Sequence, residues 1–261
     1  MDRPRRPPPR FRTATVCRRR ALGPRLVRVT VGGPELEGFT VTEPASSIRL
    51  LLPDPDTAQL VMPSWTGNEF LLPDGRRPPI RTFTPRRADS DGDEVDIDIV
   101  VHGSGLASDW ARHVEPGAAV ALSGPGRGHR IDGDADAYLV MGDETAVPAA
   151  VQILEALPPS TAVSVHLEGE GEAPSLPPRP GADVTWQARP PDRAWGDTLV
   201  DTLGRATLSP RCHVWAAGEA AAMQRIRKLL FEVRALPRAR ATVRGYWKAG
   251  RSAEDGGDVP A

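Results

Sequence analysis

Thiol chemistry is almost missing from this 261-residue chain, which has two cysteines, Cys17 and Cys212. Two thiols cannot build a disulfide framework, a zinc knuckle or a four-thiolate iron–sulfur cluster. Both lie in alternating apolar stretches and read as small buried hydrophobes. An excess of one charge is missing too: 33 Lys+Arg face 34 Asp+Glu. That balance excludes the whole-molecule basic field of a nonspecific nucleic-acid binder. No run approaches the roughly 20 apolar residues of a spanning helix, so no membrane insertion is expected. The opening MDRPRRPPPR has an arginine pair but no apolar stretch behind it, and reads as neither a secretory nor a twin-arginine signal. A cytoplasmic location is expected. Lysine occurs only at 228 and 248, which reads mainly as a coding bias. His113, His129, His166 and His213 show no metal-ligand spacing, and no metal site is expected. No catalytic triad or carboxylate pair stands out.

What the chain does have is 25 glycines and 28 prolines. Proline at roughly twice its usual share favours many short elements over a helical bundle. Residues 1–10 read as an unfolded Pro/Arg arm, and 251–261 as a frayed polar tail. Between them lie two domains, 11–133 and 134–250. The first reads as short strands forming a small antiparallel β-barrel, with Thr13–Arg18, Leu26–Val31, Ile48–Leu52 and Val95–Val101 the clearest. Val95, Ile97 and Ile99 alternate with Asp96 and Asp98, as in a sheet with one wet face.

The second domain reads as α/β with a parallel sheet. A strand at Ala137–Met141, a helix at Ala146–Ala156 and a strand at Ala162–Leu167 form a βαβ unit. A strand at His213–Ala217, a helix at Glu219–Val233 and a strand at Ala241–Tyr246 form another.

Three segments carry candidate chemistry. In Arg81-Thr82-Phe83-Thr84, a strand sets Arg81 and Phe83 on one side, where a cation pairs with phosphate and a ring covers a flavin. Thr84 then offers a hydroxyl and an amide. Taken alone, this is also the pattern of an ordinary surface strand. In the segment His102 to Trp110, Gly103 and Gly105 permit close ligand approach. Ser108 is expected to cap a short helix, Asp109–Val114, whose free amides suit a pyrophosphate. An ordinary strand–turn–helix connection would look similar. Gly142-Asp143-Glu144-Thr145-Ala146-Val147-Pro148 sits at a strand-to-helix turn, where open α/β sheets bind ligands. Two carboxylates beside a phosphate are unfavourable there, so anion binding falls to Thr145 and the helix amides. Gly218-Glu219 is the corresponding spot after the later strand.

Read together, RTFTPRR, HGSGLASDWA, SGPGRGH, MGDETAVPAAVQILEALP, WAAGEAAAMQRIRKLL and GYWKAG resemble the siderophore-interacting protein family. Its members are flavin-dependent ferric-siderophore reductases, distant relatives of ferredoxin reductases. The resemblance runs from about Arg12 to Gly250. It implies that Arg81, Phe83 and Thr84 match the family's flavin motif, with Phe83 in place of the usual tyrosine. It further implies that Gly105, Ala107 and Ser108 hold the FAD pyrophosphate, flanked by His102 and Trp110. Leu106 departs from the family's proline there. Thr145 and its neighbours match the nicotinamide turn, Glu219 the turn facing it, and Tyr246, Trp247 and Lys248 the strand end near the flavin.

The reaction implied runs from NADH or NADPH, or a reduced ferredoxin, through FAD to a ferric siderophore, with no residue acting as acid, base or nucleophile. Arg127, Arg130, Lys248 and Arg251 are candidates for a basic rim receiving an anionic siderophore. Glu168, after the second α/β strand, leans the donor towards NADH by its place near a ribose hydroxyl. A monomer is expected. Two alternatives stand beside this reading: a general NAD(P)H-dependent flavoprotein reductase with another acceptor, and a siderophore carrier without catalysis.

Overall fold

The computed structural model describes residues 10–88, 93–103 and 105–250. Arg251, Ser104 and most of the expected terminal arm and tail lie outside the described residues. Two compact units form: Met1–Thr42 with Ser46–Arg127, and Glu43–Ala45 with Gly128–Ala261.

The first unit holds β1 (Arg12–Gly23), β2 (Leu26–Gly32), β3 (Ile48–Leu51), the short hairpin β4 (Ser64–Trp65) and β5 (Phe70–Leu71), β6 (Ile80–Phe83), β7 (Pro85–Ala88), β8 (Glu94–Val100), the helix α1 (Leu106–His113) and β9 (Ala119–Ser123). Seven of these strands pair antiparallel in the order β6-β3-β9-β1-β2-β8-β7. The two end strands, β6 and β7, follow each other in the chain with only Thr84 between them. One chain segment thus pairs with β3 before Thr84 and with β8 after it, which bends the sheet towards a barrel. Alternation supplies the lining: Val95, Ile97 and Ile99 are at most 1% exposed and pack with Val29, Val31, Leu50 and Leu122. On the other face, Asp98 takes a two-pronged contact from Arg28 (2.6 and 2.8 Å) and Asp96 accepts from the Thr30 hydroxyl (2.6 Å). Cys17, expected inside, is exposed, because it falls on the outward phase of β1 next to buried Val16.

The second unit is an open sheet of β10 (Ala137–Asp143), β11 (Ala162–Gly169), β12 (Ala182–Ala188), β13 (Cys212–Glu219) and β14 (Ala241–Trp247). All pairs are parallel, in the order β12-β11-β10-β13-β14. The helices are α2 (Val147–Ala156), α3 (Asp197–Arg205) and α4 (Ala220–Lys228), the last continuing into a wider π turn over Leu229–Val233. Near-continuous apolar strands such as Tyr138–Met141 fit a sheet covered on both faces. One layer gathers Val147, Val151 and Leu154 against Trp215 and Val165; the other gathers Leu199, Leu203, Met223 and Ile226 against Met141 and Val214.

Chain order reverses between β10 and β13, so connections leave in opposite directions and open a crevice at their carboxyl ends. Gly142 lies at that edge, and a Cβ there would meet the Ala146 Cβ at 2.4 Å and the Ala217 carbonyl oxygen at 2.6 Å. Gly142→Ala is therefore expected to lower the free energy of unfolding by on the order of 1–3 kcal/mol. Denaturant midpoints check this, and a change within about 0.5 kcal/mol would contradict the close approach.

Candidate functional site

The crevice floor is organised by the Asp143 carboxylate. Asp143 ends β10 and is 2% exposed. Its Oδ1 accepts from the Thr145 backbone N–H (2.9 Å) and hydroxyl (2.5 Å). Its Oδ2 accepts from the Glu219 N–H (2.7 Å) and from the Trp247 indole N–H (2.8 Å). One side chain thus binds a turn after its own strand and the carboxyl ends of β13 and β14. Gly218 makes the approach possible, since a Cβ there would lie 2.5 Å from Asp143 Oδ2.

Other buried carboxylates extend the pattern. Glu219 caps α4 by accepting from the Ala222 N–H (2.8 Å), and also accepts from the Ala249 N–H (3.3 Å). Glu144 accepts from the Glu170 N–H (3.3 Å). Glu168, 0% exposed, accepts from the Gly196 N–H (2.5 Å) and from the Thr198 hydroxyl at the start of α3. Burial raises its carboxyl, the donors from Gly196 and Thr198 lower it, and nearby Asp143 raises it. A ribose-reading role assigned to Glu168 from sequence does not fit this placement, because its carboxylate is already given to α3.

The 142–148 segment forms a 3-10 turn at Glu144–Ala146 before α2, rather than a helix beginning at Ala146. Thr145 lends both donors to Asp143, where the sequence had assigned them to an anion. The two acids no longer oppose a phosphate, because the Asp143 carboxylate turns inward. Ala146 packs in the core and Pro148 occupies the first turn of α2. Gly142, Asp143, Thr145, Gly218, Glu219, Tyr246 and Trp247 thus come together at one sheet edge. Tyr246 is half-buried, edge-on to Trp215 at 6.5 Å, and Lys248 follows, exposed.

In the barrel unit, Arg81, Thr82 and Phe83 lie on β6 and Thr84 is the buried joint to β7. Arg81 is half-buried and its Nη1 donates to the Ile80 carbonyl (2.9 Å). Phe83 stands opposite Ile48 and packs on the barrel core, while Thr82 faces outward beside Arg49. Because Pro85 pairs with Ile97, the Arg81–Thr84 segment runs alongside the end of β8, which leads into His102. α1 starts at Leu106, earlier than expected, with Gly105 as its N-cap. Ser108 is therefore a buried first-turn residue, and its hydroxyl accepts from the His102 N–H (3.2 Å). Ala107 and Trp110 pack on the barrel core, and the buried Trp110 indole N–H meets no acceptor among the described residues. Gly103 and Gly105 have open space beside their Cα atoms. An uncovered glycine backbone leading into a helix start suits an anionic cofactor group. Arg127 and Arg130 are exposed.

Sequence reasoning missed β12 and the loop after it, which bring Arg189 and Trp195 to the same edge of the α/β unit. Arg189 lies over the Trp195 ring (4.8 Å), and Trp195 meets Trp247 edge-on (5.2 Å). The available signal was the alternation of Val184 and Trp186 with Asp183 and Thr185.

An antiparallel barrel followed by an open parallel sheet of order 3-2-1-4-5 defines a ferredoxin-reductase-like fold. Two family profiles match in sequence, the siderophore-interacting FAD-binding domain over residues 15–129 and the siderophore-interacting protein over 135–250. The chain belongs to the siderophore-interacting protein family. A siderophore utilization protein from T. fusca is 34% identical, covering 93% of this chain and 94% of its own, with a TM-score of 0.82. The siderophore-interacting protein SipS from Aeromonas hydrophila is 28% identical, covering 95% of each chain, with a TM-score of 0.78. The ferric vibriobactin reductase ViuB of Vibrio cholerae is 29% identical over 91% of this chain and 89% of its own. The NADPH-dependent ferric-chelate reductase of Escherichia coli is 29% identical over 92% and 94%. No helix among the described residues is long and apolar enough to cross a membrane.

Burial pushes the Asp143 carboxyl up to about 6, against the pull of its four donors. A carboxyl raised on folding stabilises fully below its unfolded value and loses that contribution as pH rises through its folded value. Between about pH 4 and 7 the wild type should lose on the order of 3 kcal/mol relative to Asp143→Asn. Unfolding free energies of both proteins against pH check this; a flat or rising difference would contradict it.

Proposed function

We propose that the protein reduces ferric siderophore to release Fe(II), taking electrons from NADH or NADPH, or from a reduced ferredoxin, by way of bound FAD. The observation that carries this reading is the in-order match of both family segments over 15–129 and 135–250. Two curated relatives covering most of the chain bear the names of ferric reductases.

On this reading residues 11–133 form the flavin domain and 134–250 the nicotinamide domain. Arg81, Phe83 and Thr84 hold the flavin with His102, Gly105, Ala107, Ser108 and Trp110. When bound, FAD supplies the conversion of a two-electron hydride into single-electron transfers to Fe(III). The protein's own task is to orient. Arg81 brings a permanent cation on a strand fixed by β3, suited to phosphate. Gly103 and Gly105 leave space beside their Cα atoms ahead of α1, and Thr84, fixed between two strands, offers a hydroxyl at a defined place. The crevice edge around Gly142, Thr145, Gly218 and Trp247 receives the nicotinamide donor. Exposed Arg127, Arg130 and Lys248 attract an anionic ferric chelate, as Arg251 does in the reading from sequence. The reaction is cytoplasmic and the enzyme a monomer.

The test is anaerobic. Protein loaded with FAD is reduced by NADH, NADPH or reduced ferredoxin, mixed with ferric siderophores and generic dyes, and Fe(II) is trapped. Faster flavin reoxidation by ferric siderophores than by dyes is expected. Rates no greater than those for dyes would favour a general reductase, and failure to retain FAD a carrier. Arg81→Ala is expected to weaken FAD binding by about tenfold or more, the worth of one charge-assisted contact. Unchanged flavin occupancy would contradict the placement.

A further inference from the structure

Glu170 is the first residue beyond β11, and its side chain is 40% exposed. Its Oε1 accepts from Arg189 Nη2 at 2.7 Å. Arg189 is the first residue beyond β12 and is held from several sides. Its guanidinium lies 4.8 Å over the Trp195 ring, and its Nη1 donates to the Arg193 carbonyl oxygen (2.7 Å). Its buried Nε meets no acceptor among the described residues. Glu170 is anchored in turn by its backbone N–H, which donates to Glu144 Oε2 (3.3 Å). The pair therefore stands at the carboxyl ends of the second and third strands counted outward from the point where chain order reverses.

In open sheets of this kind, the adenosine ribose of a dinucleotide lies at the end of the second strand. An acid there accepts from the 2′-hydroxyl, whereas a nearby arginine accommodates a 2′-phosphate. Glu168 cannot serve, since it is wholly buried and engaged by α3. Glu170 is the next carboxylate on that edge and is exposed.

Resting on the proposed nicotinamide donor, we infer that the Glu170–Arg189 ion pair reads the ribose 2′ position and selects NADH over NADPH. Glu170 accepts from the 2′-hydroxyl while Arg189 holds it in place. The guanidinium that could receive a 2′-phosphate is already occupied by Glu170. The next cation on the loop, Arg193, is paired with Asp201 (2.7 Å) and Asp197 (3.7 Å). Arg225 is likewise engaged by Asp197.

FAD-loaded protein is titrated with adenosine 5′-monophosphate and adenosine 2′,5′-bisphosphate by calorimetry, and flavin reduction by NADH and NADPH is followed anaerobically. The wild type should bind the monophosphate more tightly and favour NADH by about tenfold or more in kcat/KM. Glu170→Gln should move both ratios towards the 2′-phosphorylated compounds by about tenfold. Adding Arg189→Ala should take back that gain. A wild type that prefers NADPH, or ratios that Glu170→Gln leaves within about twofold, would overturn the assignment while the nicotinamide donor stands. If neither nucleotide binds or reduces the flavin but reduced ferredoxin does, the donor reading falls and the assignment with it.

Discussion

A single buried carboxylate sets the geometry of the α/β unit's working edge. Asp143 takes donors from its own turn, from the start of Glu219 and from the Trp247 indole, and so ties β10, β13 and β14 at their carboxyl ends. Burying a charge among apolar strands is costly unless it is hydrogen-bonded on every side. Four donors surround this one, yet burial still lifts its carboxyl to about 6. The small residues around it follow from the same demand. Gly142 and Gly218 leave space where a Cβ would strike Ala146, the Ala217 carbonyl or the carboxylate itself. The carboxylates of Asp143, Glu144, Glu168 and Glu219 at this edge are thus inward-facing structure.

The barrel unit meets a different constraint with a similar economy. Its two outermost strands, β6 and β7, are one extended segment interrupted at Thr84, which pairs with β3 before that residue and with β8 after it. A residue in that position is fixed by strands on both sides, which suits it to orient a flat ligand. Helix α1, reached from the end of β8 through a glycine turn, lies on the same side of the chain's path. The segments proposed to hold the flavin are therefore neighbours by sheet register, although about 20 residues separate them in sequence.

Much of this was legible beforehand, for physical reasons. Alternation at Val95–Ile99 and the apolar runs at Tyr138–Met141 and His213–Ala217 mark strands because burial dictates their period. The break at Gly142 marks a crevice because parallel strands need a crossover. What resisted reading was the use of polar side chains within the interior. Thr145 and Glu168 look like ligand-facing residues from their place after a strand, but Asp143 and the α3 N-terminus claim them. Ser108 looks like a helix cap, but Gly105 occupies that position and Ser108 turns back to His102. β12 was hidden by a proline-rich stretch, and with it went Arg189 and Trp195.

The most direct test follows the Trp247 indole N–H, whose partner is the Asp143 carboxylate, by its nuclear magnetic resonance shift across pH. A transition with a midpoint near 6 is predicted, the value to which burial lifts that carboxyl. A resonance that stays flat across the titration of the carboxyl would contradict the claim that this buried acid holds the Trp247 indole and with it the end of β14.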